Sequence, residues 1–203
     1  MYNSSHAAQL LAILLAGTAL SACDKSAAPE PPPASTASAF KPTAGIQDIM
    51  AELIEPSAEF VWESVSSTVT AEGVEEKQPR TDEEWAEVRR HALILTESAN
   101  LLVVEGRHVA REGKQLDDHG TPGNLTLEQV EQAIAKDRAS FVAFSQALHA
   151  VGASLLQAAD AKDVQAIMTH GETLDEVCES CHLKFWYPGQ QIPPLPDQAP
   201  ETN

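Results

Sequence analysis

The string Cys178-Glu179-Ser180-Cys181-His182 ends 21 residues before the C-terminus of a 203-residue chain and constrains the fold more than any other feature in it. On a helix, positions i, i+3 and i+4 share one face, so both thiols and the imidazole point the same way. Such a face suits a flat ligand. Two thiols add across the two vinyl groups of a porphyrin, and the imidazole takes its iron from one side. Cys-x-x-Cys-His is the attachment sequence of a c-type haem. The expectation is one haem c per chain, with Cys178 and Cys181 as covalent anchors and His182 as the proximal iron ligand. With 3 Cys and 7 His in the whole chain, coincidence is remote. The competing reading is a redox-active or structural dithiol with a histidine beside it.

The N-terminus reads as an export signal. Leu10 to Leu20 is an apolar run of 11 residues interrupted only by Gly17 and Thr18, too short to span a bilayer but fit for a signal-peptide core. It ends in Leu20-Ser21-Ala22-Cys23, which resembles the bacterial lipobox, whose cysteine is lipidated and becomes the first residue of the mature protein. That resemblance implies a lipoprotein signal peptide over residues 1–22 and lipidation at Cys23. The alternative is an ordinary secretory signal cleaved near Ala22. Met1 to His6 lacks the usual Lys or Arg. Asp24 after the cysteine resembles an inner-membrane retention signal. The expected location is the periplasm, anchored to the inner membrane through lipid alone. Cysteine arithmetic agrees: Cys23 goes to lipid, the other two to haem, and none remains for a disulfide.

Residues 23–42 are rich in Pro, Ala and Ser and read as an extended tether; residues 188–203 read as a disordered Pro-rich tail. The folded part is therefore 43–187, enough for one core. The formal charge of −17 argues against nucleic acid and favours redox proteins with basic docking surfaces. A homodimer is compatible with the same reading.

Apolar spacing of three to four predicts four helices. The first runs over about Gly45–Val69, with Pro56 kinking or dividing it. The second starts at Thr81, with Glu84 completing a capping box, and ends near Gly113. The third starts near Thr126 and carries Val130, Ile134, Phe141, Leu148 and Leu155. The fourth starts near Asp163 and is stopped by Pro188 and Gly189. A short turn near Ala159–Lys162 makes the last two antiparallel neighbours. No useful strand alternation is seen, so the predicted fold is all-α, an antiparallel four-helix bundle with haem on the C-terminal helix.

A haem motif on the last helix, with no Met or His beyond it, resembles the cytochrome c-prime family rather than the small cytochromes with an N-terminal motif. The resemblance covers Gly45 to Tyr187. It rests on the C-terminal motif and on the string from Ile46 to Pro56 with Trp62 following, which is similar to bacterial membrane-tethered members. It implies that the first helix lays one side chain over the distal haem face, and Met50 matches that position. A methionine there implies low-spin iron and electron transfer; a non-ligand implies five-coordinate iron that binds small gases. Family members often place an aromatic and a basic residue after the haem histidine, whereas this chain has Leu183, Lys184 and Phe185, so Lys184 supplies the basic group or none does.

Met168, 14 residues before His182, is about 21 Å away along one helix and cannot reach the opposite face of the iron. His91, His108, His149 and His170 are rival ligands read as ordinary helix histidines, with His91 and His108 on polar surface. Arg107 and Arg111 could pair with haem propionates or with nearby carboxylates such as Glu105 and Glu112, and are read as solvated face. No catalytic triad or phosphate loop is present. The functional expectation is a monohaem c-type cytochrome, an electron carrier and not an enzyme, moving single electrons in the bacterial cell envelope. The alternative is a five-coordinate haem protein binding NO or CO as scavenger or sensor.

Overall fold

The computed structural model describes residues 40–190; the signal segment, Cys23, most of the tether and the tail from residue 191 lie outside them. The described part is mostly helical, with 64% of its residues in helices and one two-stranded sheet. In chain order the elements are α1 (Ile46–Ile49), a π-turn (Met50–Ile54), α2 (Glu55–Ser64), β1 (Ser66–Thr70), β2 (Gly73–Lys77), α3 (Asp82–Leu102), α4 (Leu127–Lys136), α5 (Arg138–Ala161) and α6 (Val164–Phe185).

The first predicted helix is divided and ends early. Pro56 has no N–H to give the carbonyl four residues back, and its ring crowds that carbonyl. The run is divided just upstream: a π-turn separates α1 from α2 and puts Pro56 in the first turn of α2, and the Glu55 N–H reaches back five residues to the Met50 carbonyl. This extra residue shifts the buried line. Ile46 and Ile49 face the core before it, and Ile54, Ala58 and Val61 after it. The helix then stops at Ser64 rather than near Val69, and Val65 is extended. β-branched Thr68, Val69 and Thr70 pair antiparallel with Gly73–Val74-Glu75 across a two-residue turn. Gly73, at φ +135°, makes that turn accessible. The strands escaped the sequence pattern because nine of their ten residues are exposed, leaving no apolar alternation to read.

Helix α3 begins as expected: Thr81 Oγ1 accepts from the Glu84 N–H, and the Glu84 carboxylate accepts from the Thr81 N–H at 2.9 Å. It ends at Leu102, not near Gly113. Residues 103–125 form an irregular strap that buries Val109, Ala110 and Leu116. The strap is pinned to α1, with Ile46 N–H donating to His108 O and Gln47 N–H to Val109 O, both at 2.9 Å. The third predicted helix is two, broken at Asp137, whose carboxylate instead caps α5 by accepting from the Ser140 N–H at 3.1 Å. Lys162, in the left-handed region at φ 55°, and Asp163, capping Ala166, make the short turn into α6. Helix α5 packs against α3 and α6, and α2 against α3 and α6. Although α5 is apolar and long enough to cross a bilayer, its stripe of Phe141, Leu148, Val151 and Leu155 is buried in this core.

Candidate functional site

The last turns of α6 bring Cys178, Cys181 and His182 to one wall of a cleft of about 320 Å³. Ile54, Ala58, Leu102, Phe141, Phe144 and Leu148 supply the apolar remainder of that wall and its floor. A second cleft of about 380 Å³ adjoins it, walled by Ile46, Val130, Phe185, Trp186 and Tyr187. Met50, Glu55, Phe141, Cys181 and His182 line both. The four residues singled out for iron and haem thus meet at one place, from helices 128 residues apart in sequence when measured from Met50 to Cys178. Protein interiors hold few voids larger than a water molecule, and binding sites for compact organic ligands begin at about 300 Å³. Two adjoining clefts, largely apolar and rimmed by carboxylates, are sized for a ligand.

The local chemistry discriminates among ligands. Burial is the main cause that pushes the thiols up, Cys178 to about 11 with help from the Asp175 charge, Cys181 to about 12 with help from Cys178. The negative end of the α6 dipole acts in the same sense. Protonated, buried thiols are poor redox nucleophiles, because reactive dithiols depend on a lowered pKa. Burial also lowers the pKa of His182, against the opposing charges of Glu179 and Glu55, so its imidazole is held neutral, the form that binds metal. Among the described residues no three His, Cys, Asp or Glu side chains converge on a point that could hold a lone metal ion. Two neutral thiols, an imidazole and a thioether around an apolar cleft fit haem c.

The surrounding contacts fix the end of α6. The His182 carbonyl accepts from the Trp186 and Tyr187 N–H groups at 2.8 and 2.9 Å. The Tyr187 ring lies 5.7 Å from the His182 ring, and its hydroxyl donates to Glu179 at 2.8 Å. Trp186 donates its indole N–H to Asp118 Oδ2 at 2.7 Å, tying the strap to the site. The other oxygen, Asp118 Oδ1, is buried without a partner beside the second cleft.

No Lys or Arg lines either cleft. Arg111 pairs with Asp48 at 2.9 Å, and Arg107 donates to the Leu101 and Ala44 carbonyls, so both hold the strap rather than a propionate. Lys184 turns to the start of α5, 2.7 Å from Asp137 and 3.1 Å from Ser140, so the site has no basic group from it. His91 is not on polar surface: it is half-buried, stacked on Phe60 at 4.1 Å and bonded to Ser57. His108 is exposed beside Glu131 at 3.5 Å. None of His91, His108, His149 and His170 lines the clefts, and Met168 lines a separate groove. Sequence reasoning missed Glu55, Phe141 and Asp118; the five-residue step from Ile49 to Ile54 was the one signal for the turn that brings Met50 and Glu55 to the same walls.

Compared with protein-family models, with curated proteins and with solved structures, the chain finds no match in any of the three.

Proposed function

We propose that this protein is a monohaem c-type cytochrome of the cytochrome c-prime type, a four-helix bundle that carries single electrons in the bacterial cell envelope. The observation that carries the reading is the meeting of Met50 with Cys178, Cys181 and His182 around clefts that the fold leaves unfilled. Cys178 and Cys181 would anchor haem c covalently, His182 would bind its iron from the proximal side, and Met50 would offer the distal thioether. Haem c supplies a one-electron ferric–ferrous couple whose potential methionine–histidine ligation raises. The chain's own residues supply the rest. Apolar Ile54, Leu102, Phe144 and Leu148 exclude water, while Glu55, Glu59, Asp175 and Glu179 place negative charge at the wall and favour the more positive ferric state.

Lipid on Cys23 would tether this carrier to the periplasmic face of the inner membrane, within reach of basic redox proteins. The purified protein should keep peroxidase-active haem with the polypeptide on a denaturing gel, and its ferric spectrum should be low-spin with a methionine–iron charge-transfer band. Haem that extracts into acidified organic solvent refutes the covalent link. A high-spin spectrum with rapid CO binding transfers the assignment to a five-coordinate haem protein for NO or CO.

A further inference from the structure

Beside the cleft, α2 and α6 enclose an open surface groove of about 390 Å³. Its floor is apolar, with Val61, Val65 and Ile167 buried and Met168 half-buried. Trp62 forms one wall. The residue is 37% exposed, yet its ring is held in place, because the indole N–H donates to the Gly171 carbonyl at 2.9 Å. Gly171 permits that approach, since a Cβ there would lie 3.3 Å from Trp62 Cδ1. Glu172 and Asp175 stand on the rim, exposed, with no ion pair or hydrogen bond among the described residues. Trp62 and Asp175 also line the cleft of Cys178 and Cys181, so groove and cleft share an aromatic wall.

Charge around the groove has one sign. Residues 42–76 and 163–183, which include α2 and most of α6, contain no Lys or Arg. Their acidic side chains include Glu55, Glu59, Glu63, Glu172, Asp175 and Glu179, and the ion pairs of the described residues reach only Asp48 among them. Among the described residues, the ion pairs of Arg89, Lys162 and Lys184 lie elsewhere, with Asp160, Asp82 and Asp137.

We propose that this groove is where a basic redox protein docks, by inserting a lysine or arginine side chain. An aliphatic stem matches the floor of Val61, Val65 and Ile167, as long basic side chains lay their methylenes along apolar surface. The cationic head meets the Trp62 indole and the carboxylates of Glu172 and Asp175, joining a cation–π contact to charge-assisted hydrogen bonds. The unpaired carboxylates flanking α2 and α6 steer the approach. The inference rests on the electron-carrier reading and adds the partner's chemistry and landing point. The partner's surface then lies across one indole ring from the haem cleft.

The test uses the intact haem-loaded protein and a lysine-rich mitochondrial cytochrome c as probe. Binding is measured by calorimetry at low ionic strength, and electron exchange by stopped flow. Glu172→Lys should weaken binding and slow exchange about tenfold. Glu105→Lys, the same charge change away from the groove, should have less than about a third of that effect. Trp62→Leu should weaken binding in calorimetry while Glu105→Lys binds nearly as wild type. Equal effects of Glu172→Lys and Glu105→Lys, or no binding by wild type, overturn the proposal. Failure of the carrier reading shows separately, as a missing haem spectrum or absent exchange, because calorimetry reports docking without electron flow.

Discussion

Gly152→Ala is the sharpest structural prediction, because two effects of opposite sign meet at one atom. Gly152 lies in the middle of α5, and alanine there gains about 1 kcal/mol of helix propensity. The new Cβ, however, would sit 2.7 Å from Thr96 Oγ1, 2.9 Å from Thr96 N and 3.0 Å from Thr96 Cα. Two of those atoms are α3 backbone, which no rotamer change removes. The third belongs to a buried hydroxyl that donates to the Ala92 carbonyl at 2.8 Å and has nowhere better to turn. Overpacking of this kind costs about 1–3 kcal/mol, at the upper end where backbone must move. The net effect is a loss of about 1–2 kcal/mol, which lowers Tm by roughly 2–8 °C for a domain of this size. Gly171→Ala is the internal comparison. Its Cβ meets only the edge of the Trp62 side chain, at 3.3 Å, with no backbone atom closer than that, so it should cost less than Gly152→Ala. Thermal unfolding of the haem-loaded variants by far-ultraviolet circular dichroism measures both. A Gly152→Ala protein at least as stable as wild type refutes the close approach of α3 and α5.

Met50→Leu keeps volume and should cost under about 1.5 kcal/mol of stability, while lowering the reduction potential and opening the iron to CO; an unchanged spectrum and CO rate would reduce Met50 to a wall residue. Asp137, held at about 2 chiefly by its hydrogen bond from Lys184, with the Ser140 backbone and hydroxyl next, adds stability above the ordinary carboxylate range. That contribution is lost as pH falls from about 4 to about 2. Asp137→Asn should flatten acid unfolding across that window, and so should high salt, since the pair is exposed. Cys23→Ser should release the protein from membranes or block its processing, and unmodified Cys23 in the mature protein by mass spectrometry would sink the lipid anchor.

Legibility in the sequence followed burial. The α3 start could be read from Thr81 and Glu84 because a capping box is local chemistry, and the α5–α6 turn followed from its brevity. The hairpin could not, because Val69 and Val74 are 82% and 63% exposed and the strands bury no face. The break at Asp137 hid behind apolar spacing that runs on through it from Ile134 to Phe141. At the site, Cys178, Cys181 and His182 announced themselves by spacing. Their environment did not: Asp118 reaches Trp186 across 68 residues and Trp62 reaches Gly171 across 109, contacts that only the tertiary fold creates. Arg107 and Arg111 show the limit of charge reading. Their targets were one carboxylate and two backbone carbonyls, and a carbonyl has no sequence signature.

The widened turn after Met50 changes which residues of one helix can share a face. In a regular helix, residues five apart lie about 140° from one another around the axis, so Ile49 and Ile54 could not both face inward. One surplus residue absorbs the mismatch, leaving both isoleucines 4% exposed or less. Deleting Ala51 would bring that spacing to four and seat both isoleucines on one face, but Pro56 would still have no N–H for the Glu52 carbonyl and would still crowd it. The wide turn thus meets two demands at one place: an apolar line on either side of Met50, and a proline that cannot donate to Glu52.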